Sequence, residues 1–198
     1  MVLRIYICGA HSTGKTTLLH DVIPHLKNIH VVEEVARKII ERNGWSRNDF
    51  QPSKNPEMFR RLNTEIIEEQ MRIDEHNTSQ NIDFISDRGL EPLVYCEYYI
   101  NSEAKRELLE LPGLRTWLNR LKRSLLFVVS PHVECLSEDG VRLQSSISEL
   151  RSFTELLVRE LDKHQIPFIL IDNLNRQERI NLVLDYIKSF DDTKKCIR

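Results

Sequence analysis

At 198 residues, 40% of them hydrophobic and 29% charged, the chain is long enough for one domain with a substantial core and has the balance of a water-facing globular protein. A formal net charge of −2 argues against a dedicated nucleic-acid binder. Cys8, Cys96, Cys135 and Cys196 are far apart and form no C-x-x-C pair, which argues against a zinc site or disulfide framework and for a reducing compartment. The longest apolar run, Leu125 to Val129, is far too short to cross a membrane, and the early apolar stretch is interrupted too soon for a signal peptide. Cytoplasm is the expected address.

The apolar run Leu3 to Cys8 reads as a buried strand and leads into Gly9-Ala10-His11-Ser12-Thr13-Gly14-Lys15-Thr16, followed by Thr17-Leu18-Leu19. Gly, four residues, then Gly-Lys-Thr between a strand and a helix is a complete phosphate-binding loop. Glycine lets the backbone adopt conformations that a Cβ forbids and come close to phosphate oxygens. The unpaired N–H groups at the start of the helix, with its positive dipole end, then face the anion. Lys15 is expected to reach the β- and γ-phosphates, and the Thr16 hydroxyl to ligate Mg²⁺. Gly9, His11, Ser12, Thr13, Gly14 and Thr17 complete the expected nucleotide cradle, His11 either touching phosphate or acceptor or only shaping the loop.

The first helix is expected from about Lys15 to Lys27, with Pro24 ending it early. Ile29 to Val32 is the second strand, and Glu33-Glu34-Val35-Ala36-Arg37 leads into a helix closing near Asn43-Gly44. Residues 45–55 are a polar loop, and Pro56, with Asn55 as cap, opens a long helix that fades near His76-Asn77. Ile82 to Ser86 is the third strand, ending in Asp87-Arg88-Gly89. Helices are expected over Pro92–Tyr99, Glu103–Leu111 and Leu114–Lys122, with a break at Pro112-Gly113. Leu125 to Val129 is the fourth strand, stopped by Pro131; an excursion through Asp139-Gly140 leads to a helix from about Ser148 to His164. Pro167 to Ile171 is the fifth strand and Asn175 to Ser189 the closing helix. Short apolar runs alternating with helical ones imply stacked βαβ units and a parallel sheet. Residues 1–190 are expected to form one domain and 191–198 a disordered tail.

In an open parallel sheet, ligands bind at the carboxyl ends of the strands, so the polar residues that follow each strand carry the chemistry. Asp87 ends an apolar strand in an acid and is placed to hold Mg²⁺ opposite Thr16; a plain helix cap is the alternative. Arg88 is either a substrate-phosphate ligand or a surface ion-pair partner. Glu34 and Arg37, three apart, share a helix face. They read as a pair in which Glu34 orients or deprotonates an acceptor hydroxyl and Arg37 grips a substrate anion, or as a surface ion pair of little value. Between strands four and five, Arg142 after the Gly140 hinge, or alternatively Arg151, is placed where a lid would neutralise transferred charge. Tyr95, Tyr98 and Tyr99 could wall a ring-shaped acceptor or simply be core. Asn173 follows strand five, where a purine base could be read, and His132 reads as structural.

The P-loop, the Glu34-Val35-Ala36-Arg37 segment, Asp87-Arg88 and Asp139-Gly140-Val141-Arg142 together resemble a family of small P-loop ATPase/kinase domains. That family includes the ribosylnicotinamide kinase domain of the bacterial NAD regulator NadR and a eukaryotic GTP- and phospholipid-binding protein of photoreceptor channel trafficking. The resemblance covers essentially the whole chain. It implies a nucleoside/nucleotide-kinase-like three-layer α/β/α fold, with a five-stranded parallel sheet in the order 2-3-1-4-5. It also implies ATP as donor with GTP as an alternative, Mg²⁺, Glu34 and Arg37 near the acceptor, and Asp87 near the metal. The expected activity is transfer of a γ-phosphoryl group to a small nucleoside- or nucleotide-like acceptor. The alternative is a nucleotide-dependent switch that binds a protein partner or, peripherally, phospholipid. Nothing in the chain resembles the Asn-Lys-x-Asp signature that reads guanine.

Overall fold

The computed structural model describes residues 2–135 and 146–196. Asp139, Gly140 and Arg142, the expected lid residues, lie outside the described residues. Five parallel strands form one sheet in the order β2-β3-β1-β4-β5, as the family resemblance implies. They are β1 (Arg4–Cys8), β2 (His30–Val32), β3 (Phe84–Asp87), β4 (Leu125–Val129) and β5 (Ile169–Ile171).

Alternation along β1 sends successive side chains to opposite faces and so builds two cores. Ile5 and Ile7 pack with Leu18, Leu19 and Val22 of α1 (Lys15–Val22) and with Ile180, Val183 and Ile187 of α8 (Arg176–Cys196). Tyr6 and Cys8 face the larger core. It is covered by α2 (Val35–Arg42), α3 (Pro56–Ser79), α4 (Glu91–Tyr99), α5 (Ser102–Leu109), α6 (Leu114–Leu121) and α7 (Ile147–Lys163). With helices on both faces, the central strands β1 and β3 are buried along their whole length, which is why they read as continuous apolar runs.

Local chemistry sets most boundaries. Pro24 lacks an N–H, and α1 gives way to a 3₁₀ turn at Ile23–His25. Asn55 accepts from the Met58 N–H with Pro56 in the first turn of α3. The stretch 45–55 is not wholly irregular: a capping box between Ser46 and Asp49 folds Arg47–Phe50 into a 3₁₀ turn. Helix α8 runs past the expected stop at Ser189 to Cys196. No glycine or proline follows Ser189 to end it. No helix among the described residues is long and apolar enough to cross a membrane.

Candidate active site

The P-loop leaves the carboxyl end of β1, the strand around which the sheet order reverses. Gly9 has φ +139°, and a Cβ there would lie 2.7 Å from the Val129 carbonyl oxygen of β4, so only glycine fits. Ser12, at φ 59°, and Gly14, at φ 85°, complete the curl, with Gly14 as the N-cap of α1. Thr13 Oγ1 donates to the Ala10 carbonyl at 3.0 Å, and the Lys15 ammonium bonds the same oxygen. Lys15 is only 4% exposed. Burial first, and the Arg88 charge second, pull its pKa down to about 7. His11 and Ser12 are half-buried, whereas Thr16 and Thr17 are exposed on the first turn of α1.

Strand pairing sets Asp87 opposite Ile7, level with the entrance to the P-loop. There the Thr16 hydroxyl donates to Asp87 Oδ2 at 2.7 Å. Asp87 is 1% exposed, and its Oδ1 is buried without a hydrogen-bond partner. An alcohol beside a carboxylate with an unused lone pair suits a hard cation that takes its remaining ligands from water and phosphate, so the pair fits Mg²⁺.

Arg88 turns the other way. Its backbone sits at φ 90°, a conformation costly for a side chain with a Cβ. It is held by the Arg88 N–H donating to the Ile7 carbonyl at 3.0 Å and by Ser86 Oγ donating to the Arg88 carbonyl at 3.0 Å. The guanidinium is thereby aimed at Glu34, with Nε 2.8 Å from Oε1, while Nη1 meets the Tyr95 hydroxyl at 3.3 Å. Glu34 Oε2 also accepts from Arg37 Nε at 2.9 Å. Burial works to raise the Glu34 carboxyl, but the Arg88 charge, the Arg37 bond and the Arg37 charge overcome it and hold the acid below its ordinary value. Glu34 is thus no mere surface partner of Arg37. Glu33, by contrast, is exposed.

Tyr95 and Tyr99 stack at 6.0 Å and pack with Phe59 of α3, and Phe153 of α7 joins Tyr95 at 4.6 Å. The rings therefore tie three helices together, and Tyr95 also reaches the charged cluster. Asn173 follows β5 with Oδ1 buried and unpartnered. Arg151 lines a cavity of about 740 Å³ beside β5, together with His132, Arg159, Leu170 and Asp172, and no P-loop residue borders it.

Two residues escaped sequence reading. Arg179 of α8, 7% exposed, donates from Nε to the Asn173 carbonyl at 2.5 Å and from Nη1 to the Thr13 carbonyl at 3.5 Å. It wedges the loop after β5 against the P-loop. Glu91 is 0% exposed and bonds Gly9 and Gly89. Both contacts span distant parts of the chain or point away from their own helix, so no local pattern announces them.

Among solved structures, NadR in complex with NR superposes with a TM-score of 0.70 at 22% identity, covering 93% of this chain and 51% of that one. Deoxyadenosine kinase from M. mycoides with dCMP and dCDP gives 0.62 at 12% identity, covering 94% of this chain and 100% of that one. Shikimate kinase from Acinetobacter baumannii in complex with shikimate gives 0.56 at 18% identity, covering 96% and 94%. These likenesses show a nucleoside/nucleotide-kinase-like P-loop fold. The chain spans about half the length of the NadR chains it matches. A search of curated proteins by sequence returned no match. The family model that matches, over residues 4–179, is described as an AAA domain, and the chain belongs to that family, AAA_28.

Proposed function

We propose that the protein is a Mg²⁺-dependent P-loop phosphotransferase that moves the γ-phosphoryl group of ATP to a hydroxyl of a small nucleoside- or nucleotide-like acceptor. One observation carries the reading. Neighbouring residues of a single turn face the two halves of such a reaction, Asp87 bonding Thr16 of the P-loop and Arg88 bonding Glu34 across the cleft. The kinase folds of the neighbours, and the small molecules named with them, support the class without naming this acceptor.

In this reading Lys15 leaves the Ala10 carbonyl for the β- and γ-phosphates, whose negative charge favours its ammonium form. Gly9, His11, Ser12, Thr13, Gly14 and Thr17 enclose the phosphates, and Asn173 offers its buried oxygen to the base. Thr16 and Asp87 would hold Mg²⁺, which would supply positive charge beside the transferred phosphoryl group. Glu34, kept ionised by two arginines, accepts a hydrogen bond from the acceptor hydroxyl and orients it for attack. Arg37, with its side chain 71% exposed and only Nε engaged by Glu34, offers its remaining N–H groups to an acceptor anion. One domain over residues 1–190 and a cytoplasmic address belong to the same proposal, the latter supported by the free buried thiols Cys8 and Cys96.

Incubating the protein with γ-labelled ATP, Mg²⁺ and a panel of nucleosides, nucleotides and vitamin-like alcohols tests this. Label on at least one acceptor is expected. Slow hydrolysis with no labelled acceptor, together with nucleotide-dependent binding to liposomes, would favour a switch instead.

A further inference from the structure

Glu91 is the first residue of α4 and has no exposed surface. An acid in the first turn of a helix ordinarily serves that helix's own N–H groups or its dipole. Both Glu91 oxygens are used elsewhere. Oε1 accepts from the Gly9 N–H at 3.1 Å and Oε2 from the Gly89 N–H at 2.6 Å. Gly9 opens the P-loop, and Gly89 follows Asp87 and Arg88. Both glycines sit in tight quarters, since a Cβ on Gly89 would come within 3.0 Å of Cys8 Sγ and one on Gly9 within 2.7 Å of the Val129 carbonyl. The two turns thus lie close enough for a single carboxylate to bridge them.

Burying a carboxylate is expensive unless hydrogen bonds and opposite charges offset the lost water. Here two backbone amides supply the bonds, and the Lys15 and Arg88 charges both interact with Glu91. A fold that needed only a helix start would place a smaller, exposed cap at this position. We propose that Glu91 is a positioning residue that fixes the P-loop and the Asp87–Arg88 turn at one separation, so that bound phosphates, Thr16 and Asp87 are held in register by one buried strut. The inference rests on the phosphotransferase reading above. It adds a residue that touches neither donor nor acceptor.

The test compares wild type, Glu91→Gln, Glu91→Asp and, as a control on the same helix, Glu97→Gln, which removes the negative charge that pairs with Lys105 at 2.5 Å. Glutamine keeps the shape but offers an N–H₂ to one of the two amides. Aspartate keeps the charge but is too short for both. Each protein is titrated with a fluorescent ATP analogue in EDTA and in Mg²⁺, its melting temperature is recorded, and kcat and KM for ATP hydrolysis are measured. Both Glu91 variants are expected to bind the analogue in EDTA within about threefold of wild type, yet to lose the Mg²⁺-dependent gain and about thirtyfold in kcat, the scale of an ångström-level misplacement. Glu97→Gln is expected to melt earlier with its Mg²⁺ gain intact. The proposal is overturned if the Glu91 variants keep the wild-type gain and kcat, or lose metal-free binding in step with melting temperature. It is equally overturned if neither variant folds, since Glu91 would then belong to the fold alone. Wild type that fails to bind the analogue would remove the phosphotransferase reading as well, an outcome distinct from the others.

Discussion

The two sides of the proposed site are built from different materials. On the donor side the geometry is backbone: Gly9 and Gly14 at positive φ, a helix start, and a lysine folded onto a main-chain carbonyl. On the acceptor side it is side chains, with Glu34 shared between Arg37 and Arg88, and Tyr95 as a further partner of Arg88. A backbone cradle accepts any polyphosphate and tolerates little change in its glycines. A lattice of ion pairs can be retuned one residue at a time while the cradle stays as it is. On the proposed reading, donor recognition would be general to the fold, and acceptor recognition would be where such domains diverge.

The largest effect that would sharpen this contrast is at Lys15. Lys15→Ala should lower nucleotide turnover by about 10²- to 10³-fold, the scale of one lost charge-stabilising donor, while leaving the far-ultraviolet circular dichroism unchanged. Turnover at the wild-type rate would end the donor-site assignment. Gly9→Ala should cost about 3 kcal/mol of stability in urea unfolding, because its Cβ would meet backbone rather than a movable side chain. A loss under about 1 kcal/mol would show that the strand–loop approach can relax.

On the acceptor side, Glu34→Gln should lower transfer to the acceptor about thirtyfold through loss of the ionised partner of the hydroxyl. It should also change the pH dependence of stability. Arg88 and Arg37 hold the folded-state Glu34 below its ordinary value of 4.5, so the folded protein gains from this group above that pH. The gain fades as pH falls through the lowered folded value. Melting curves taken from about pH 6 to about pH 3 should therefore show wild type losing its advantage over Glu34→Gln, and parallel curves would contradict the arrangement. The smallest effect is at Tyr95. Tyr95→Phe removes only a 3.3 Å bond to Arg88 and should raise the acceptor KM about threefold with kcat held, near the net worth of one hydrogen bond. A large fall in kcat would instead make the hydroxyl part of the chemistry.

The same contrast explains what could be read from the chain alone. The P-loop residues expected to hold the nucleotide lie within nine consecutive positions, Gly9 to Thr17, and Thr16 meets Asp87 because each ends or follows a strand of the expected parallel sheet. Glu34 and Arg37 were readable as a pair from helical spacing. That Glu34 belongs equally to Arg88, 54 positions away, depends on how β2 and β3 are set side by side. Arg179 and Thr13 are 166 positions apart, beyond any local pattern. Glu91 lies just before the helix start expected at Pro92, and only packing shows its carboxylate facing two glycines. Boundaries failed where side chains intervene: β3 starts at Phe84 rather than Ile82, after Asp83 has taken the Leu3 N–H at 2.6 Å.

Cys8, at the end of β1, offers an internal clock for the junction between strand and loop. Its thiol has no exposed surface and sits against Gly89; burial, then the Glu91 charge, push its pKa well above the ordinary thiol value. An alkylating reagent can therefore reach it only while the junction is transiently open, and the labelling rate measures that opening. Cys96, buried on α4 with its thiol pushed up to about 12, supplies an independent rate in the same sample. If bound ATP slows Cys8 and leaves Cys96 unchanged, the breathing of the P-loop can be timed without any acceptor in hand.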